Sequence, residues 1–264
     1  MPEPSGAKLP QISQYCFQRD SLLLRLMKHL PNALTLANLF CGCCAILYIL
    51  YWQPETAALF SAGSFVFDYL DGMVARALKV SSPLGKELDS LADVVSFGVV
   101  PGAMLYQQLA IPVMELSGGD VSAVQWQALP AFILTAFSAF RLGKFNLDTR
   151  QTSYFLGLST PACTVFVLGL SLGVYHNRFD LASMLTNPWF IYGLIGTLSW
   201  LLVREIPMVG MKIKRFDWKS NGLNLIFVGV LAILVFVIKE LALSAIVVCY
   251  MLLSVLQKKK ILEG

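Results

Sequence analysis

Asp68, Asp71, Asp89 and Asp93 fall within 26 consecutive positions of a strongly apolar stretch. An aspartate at mid-bilayer costs roughly 2.5–3.5 kcal/mol on insertion scales, so four together demand a chemical reason. At about 100° per residue along a helix, Asp68 and Asp71 share one face, and Gly72 joins it. Gly85, Asp89 and Asp93 recur at i, i+4 and i+8 and form one stripe on the next helix. Four carboxylates at close range repel, so protons or cations must neutralise them. Two divalent cations would balance the charge. Oxygen-only ligands favour Mg²⁺ or Mn²⁺, with Ca²⁺ as a further occupant, over zinc or copper. Paired ions of this kind serve displacement at phosphorus. Gly72 and Gly85 leave room for a phosphate beside the backbone, and Arg76 stands where it can pair with a phosphate oxygen. Two other readings of these residues stay open. They suit an ion-pair and helix-packing cluster with Arg76 and Lys86, or the ion path of a cation-coupled transporter.

The elements that must carry these acids are membrane helices. The chain has 264 residues, 56% hydrophobic and 14% charged, with a mean hydropathy of +0.67. That composition excludes an ordinary soluble domain, and nothing in it points to nucleic acid. Apolar segments predict an all-α membrane protein of eight spans, near 33–51, 57–78, 87–110, 127–145, 155–175, 188–204, 222–238 and 241–256. The ~10-residue alternation of a barrel is missing. Residues 1–32 read as a cytoplasmic N-terminus, and 33–264 as the transmembrane catalytic domain. Leu22, Leu23, Leu26 and Leu30, with Arg25 and Lys28 between them, suit a helix lying among the headgroups. Eighteen of the 20 Lys and Arg residues fall on one side of this layout, which places both termini and the acids in the cytoplasm. Pro83 suits the start of a helix, with Ser81 or Ser82 as its cap, so a tight turn joins the two acid helices. Cys41, Cys43, Cys44, Cys163 and Cys249 read as structural thiols within spans. His29 and His176 read as distant loop residues.

The acid stretch resembles the signature of the CDP-alcohol phosphotransferase family. That signature is D-x-x-D-G-x-x-A-R, eight residues, then G-x-x-x-D-x-x-x-D. Here Asp68, Asp71, Gly72, Ala75 and Arg76 are followed, after eight residues, by Gly85, Asp89 and Asp93. The resemblance implies a reaction in which a hydroxyl attacks a CDP-linked lipid and CMP leaves. It implies that Asp68, Asp71 and Asp89 hold two divalent cations, and that Asp93 touches metal and acts as general base. It also implies that Gly72, Ala75, Arg76 and Gly85 line the CDP site. Asn32, Thr35 and Asn38 follow one face of the first span, positioned to hydrogen-bond cytidine or a neighbouring helix.

Further segments are similar to the multispan phosphatidylserine synthase subfamily. They are LPNALTLANLFCG from Leu30, DVVSFGVVP from Asp93, FRLGKFN from Phe140 and YFLGLSTPA from Tyr154. The chain departs from the subfamily at Gly143 and Lys144, where Ala and Arg are usual, and at Ser159. The resemblance implies transfer of a phosphatidyl group from CDP-diacylglycerol to L-serine by a homodimer among membrane lipids. Siblings use glycerol 3-phosphate or inositol. Arg141 and Lys144 are the expected partners of the serine carboxylate, or else ordinary flanking charge.

Overall fold

The computed structural model of the chain describes residues 11–116, 124–147, 155–177, 180, 182–208 and 239–256. The expected span at 222–238 and the basic tail at Lys258, Lys259 and Lys260 lie outside these residues.

Helix α1 covers Gln11–Leu50 and passes through Pro31 without ending. His29 is therefore helical, not in a loop as the sequence suggested. Helix α2, Pro54–Leu78, begins with proline in its first turn, where no N–H is needed. It ends where Lys79 takes a left-handed conformation, at φ 53°. Helix α3, Pro83–Val94, begins at Ser82, whose hydroxyl accepts from the Gly85 amide at 2.9 Å. The expected cap is thus in place, and the helix starts earlier than residue 87.

A five-residue π-helical segment, Val95–Val99, follows α3 and leads into α4, Val100–Leu116. Pro101 has no N–H to give the Phe97 carbonyl, which loosens the ladder here. Side chains satisfy the carbonyls instead. Thr164 donates to Phe97 O at 3.2 Å and Thr135 to Gly98 O at 2.8 Å.

A 3₁₀ turn, Trp126–Ala131, runs into α5, Phe132–Leu147. The expected span at 155–175 starts late. Residues Phe155–Leu156 form a short strand, β1, and α6 spans Thr160–Tyr175. Ser159 caps α6, and Gly157 has φ 76° against the Arg204 and Leu202 carbonyls, a position closed to other residues. Short α7, Ala182–Leu185, precedes α8, Pro188–Val203, capped by Asn187. Strand β2, Pro207–Met208, pairs antiparallel with β1. A 3₁₀ turn, Lys239–Leu241, opens α9, Ala242–Leu256.

Among the described residues, three stretches are long and apolar enough to cross a bilayer: His29–Leu50, Pro83–Pro112 and Trp126–Leu147. Helix α2 has the length but carries Asp68, Asp71 and Arg76. Large apolar side chains such as Phe40, Leu59 and Trp189 face outward, while Thr35, Asn38, Ser64 and Asp71 are buried. A surface of that kind suits lipid, with polar groups turned to the protein interior. The core joins Ile49 of α1, Leu105 and Leu109 of α4, Leu134 of α5, Val167 of α6 and Leu198 of α8. Gln108 and Ser171 share a buried interhelical hydrogen bond at 2.8 Å. The thiols of Cys41 and Cys163 are buried, as expected, while Cys43 is exposed. His176 ends α6 and lies 3.3 Å from Glu55 at the start of α2.

Candidate active site

The acid helices α2 and α3 both pack along α1, more extensively than on each other. The sequence predicted two helices face to face. The structure brings the acids of the two helices together in this way, and both helices also rest along α1. Carboxylate oxygens of Asp68, Asp71 and Asp89 all lie within 4.8 Å of one another. Asp71 is buried and accepts from the Thr35 hydroxyl at 2.5 Å. Asp93, one turn past Asp89, reaches the carboxyl of Asp68. Its other oxygen, Oδ1, is buried without a hydrogen-bond partner among the described residues.

This donor set fits a hard divalent cation: every ligand atom is an oxygen, and the acids converge from two helices. A buried carboxylate oxygen with nothing to bind is the kind of atom such an ion satisfies.

A cavity of about 220 Å³ opens beside the acids. Asn32, Thr35, Asp71, Gly72, Ala75, Gly85 and Asp89 line it, together with Ser81, Ser82 and Lys86 from the turn. Of the residues expected around CDP, Arg76 is placed differently. It is exposed, with its guanidinium 3.6 Å from where a Gly72 side chain would begin. A Cβ at Gly85 would come 3.0 Å from Asn32 Oδ1, so this glycine lets the α1 amide approach α3. Asn38 is fully buried behind these residues, and its side-chain amide has no partner among the described residues. The sequence did not single out Lys86 as a cavity residue. Its place in the G-x-x-x-D run, next to Gly85, was the available signal.

Arg141 comes near Asp93. It is buried on α5 and close enough to Asp93 to interact electrostatically. Its Nε has no hydrogen-bond partner among the described residues. Ser138, one turn earlier, and Thr160, in the first turn of α6, present buried hydroxyls in the same state. Neither stood out in the sequence, because a single hydroxyl in an apolar run has no motif around it. Lys144 does not join this group. Its ammonium pairs with Glu205 at 2.7 Å, with both side chains partly exposed.

The profile of the CDP-alcohol phosphatidyltransferase family matches residues 28–202. The chain is 33% identical over 189 residues to a CDP-diacylglycerol–serine O-phosphatidyltransferase of Mycobacterium leprae, covering 69% of this chain and 58% of that protein. It is 32% identical over 229 residues to the enzyme of that name from Helicobacter pylori, covering 86% and 90%. It is 33% identical over 188 residues to the one from Bacillus subtilis, covering 70% and 93%.

Proposed function

Because the chain belongs to the CDP-alcohol phosphatidyltransferase family, we propose that it is a CDP-diacylglycerol–serine O-phosphatidyltransferase working within the membrane. The observation that carries this reading is the convergence of Asp68, Asp71 and Asp89 within 4.8 Å beside a cavity lined by Asn32, Thr35, Gly72, Ala75 and Gly85. The names of the relatives from three bacteria support serine as the acceptor.

Asp68, Asp71, Asp89 and Asp93 would hold two divalent cations, Mg²⁺ or Mn²⁺. When bound, they supply positive charge to the diphosphate and the departing CMP. Asn32, Thr35, Gly72, Ala75 and Gly85 receive the cytidine end of the CDP-lipid. Thr35 also fixes the Asp71 carboxylate through its hydroxyl. The serine Oγ attacks the phosphorus that bears diacylglycerol. Its proton passes to Asp93, the P–O bond to CMP breaks, and a phosphodiester forms. Arg141 receives the serine carboxylate with its planar fork. Ser138 and Thr160 offer hydroxyls to the rest of the zwitterion. Lys144, held by Glu205, is left to shape the rim.

Purified protein in detergent tests this directly. CMP should be released from CDP-diacylglycerol with L-serine, and not with glycerol 3-phosphate or inositol. Release with another acceptor alone would move the chain to a sibling activity, and no release with any would reject the enzyme reading. Arg141→Lys should raise the serine KM strongly and leave the CDP-diacylglycerol KM nearly unchanged, the mark of lost ground-state binding. An unchanged serine KM would remove Arg141 from the acceptor site.

The membrane layout is part of the same reading: eight spans, with both termini and the acid cleft in the cytoplasm. The basic asymmetry supports it. The N-terminal part of α1 would then lie among the headgroups. In a cysteine-free background, Lys79→Cys and Lys258→Cys should label from the cytoplasmic side and Lys239→Cys from the other. Labelling of Lys79 and Lys258 positions from opposite sides would refute eight spans.

A further inference from the structure

Two hydroxyls from two different segments meet on one atom. Ser64 of α2 and Ser96 of the π-helical segment both donate to the Asn38 carbonyl oxygen of α1, at 3.1 and 3.2 Å. Both serines are buried. Ser64 lies four residues before Asp68, and Ser96 three residues after Asp93. The two acid-bearing helices are therefore tied to α1 at the same point, one turn from their acids. Gly42 makes the approach possible, because a Cβ there would collide with Ser96 Oγ and stand 3.1 Å from its Cα.

Helices α2 and α3 pack chiefly on α1, so the spacing of their carboxylates is set through α1. A slip of one residue along a helix is a shift of about 1.5 Å. It would separate a serine from the shared carbonyl and move a carboxylate by a similar amount within a cluster 4.8 Å wide. The π-helical segment adds a residue to the turn just after Asp93, where an ordinary helix would direct Ser96 differently.

We propose that Ser64 and Ser96 are positioning residues that hold the Asp68–Asp71 and Asp89–Asp93 pairs at metal-binding separation. The proposal rests on the metal reading of the cluster. It does not depend on which acceptor is used.

The test uses the full chain in detergent and reads the rise in melting temperature on adding Mn²⁺. Ser64→Ala and Ser96→Ala are compared with Ser171→Ala, which loses a buried hydroxyl partner of Gln108 away from the acids. All three variants should melt somewhat lower without metal. Only Ser64→Ala and Ser96→Ala should need about tenfold more Mn²⁺ for half of the stabilisation. Their kcat should fall roughly 10- to 100-fold, as misplacement of reacting groups by about 1 Å does. If Ser96→Ala does not purify beside Gly42, Ser64→Ala decides alone. An equal Mn²⁺ response in Ser64→Ala and Ser171→Ala would overturn the positioning role and leave the metal reading standing. An unaltered chain with no Mn²⁺ response would overturn both.

Discussion

Asp93→Asn is expected to lower kcat by about 10²–10⁴-fold while CDP-diacylglycerol still binds. The substitution keeps the shape and one oxygen of the side chain and removes its capacity to take a proton. Asp93 is the acid best placed for that task. It is outside the group of three clustered carboxylates, interacts with Asp68, and also interacts with the buried Arg141. Of the four acids, Asp93 is the one that interacts with Arg141, the proposed seat of the serine carboxylate. Asp68→Asn should behave differently, because it weakens the cation site and with it the hold on the diphosphate. The two are separated by measuring CMP release and the CDP-diacylglycerol KM for each variant. Near-normal turnover in Asp93→Asn would reject it as the base.

The sequence made the acids readable because charge in an apolar helix is costly, and because i, i+4 spacing maps directly onto one face. Ser82 and Pro83 gave the start of α3 for a similar local reason: a cap and a missing N–H act within one turn. Other features depend on partners distant in the chain. Nothing around Lys144 announces Glu205, which is brought in by the return of the chain after α8. In sequence both Arg141 and Lys144 are candidates, with Arg141 the stronger because it matches the subfamily segment; the structure pairs Lys144 at the rim and buries Arg141 near Asp93. Pro101 is not read from the sequence as a weak point in a helix, and the π-helical turn it accompanies also needs Thr164 and Thr135 from two other helices. The late start of α6 follows from Gly157, whose left-handed backbone fits under the Arg204 carbonyl. The packing of both acid helices along α1 has no local signature at all.

Removing divalent cations should abolish activity, and returning Mn²⁺ or Mg²⁺ should restore it. The charges on the protein do not suffice by themselves. Asp68, Asp71 and Asp89 bring three carboxylates within 4.8 Å, and Asp93 adds a fourth beside Asp68. Thr35 gives Asp71 a neutral hydrogen bond, which carries no charge. Lys86 borders the cavity but directs its ammonium to the Asn146 carbonyl at 3.2 Å. Arg76 is exposed, with its guanidinium beside Gly72. Of the four acids, Arg141 interacts with Asp93. Bringing a diphosphate into this cleft adds further negative charge, so substrate binding itself requires imported cations. Chelation should accordingly weaken CDP-diacylglycerol binding as well as stop turnover. Zn²⁺ should restore activity poorly, because no nitrogen or sulfur ligand faces the cluster among the described residues. The measurement is CMP release after exhaustive chelation and stepwise return of each ion. Full activity in excess chelator would mean that the four acids serve another purpose, and it would return the cluster to packing or ion transport.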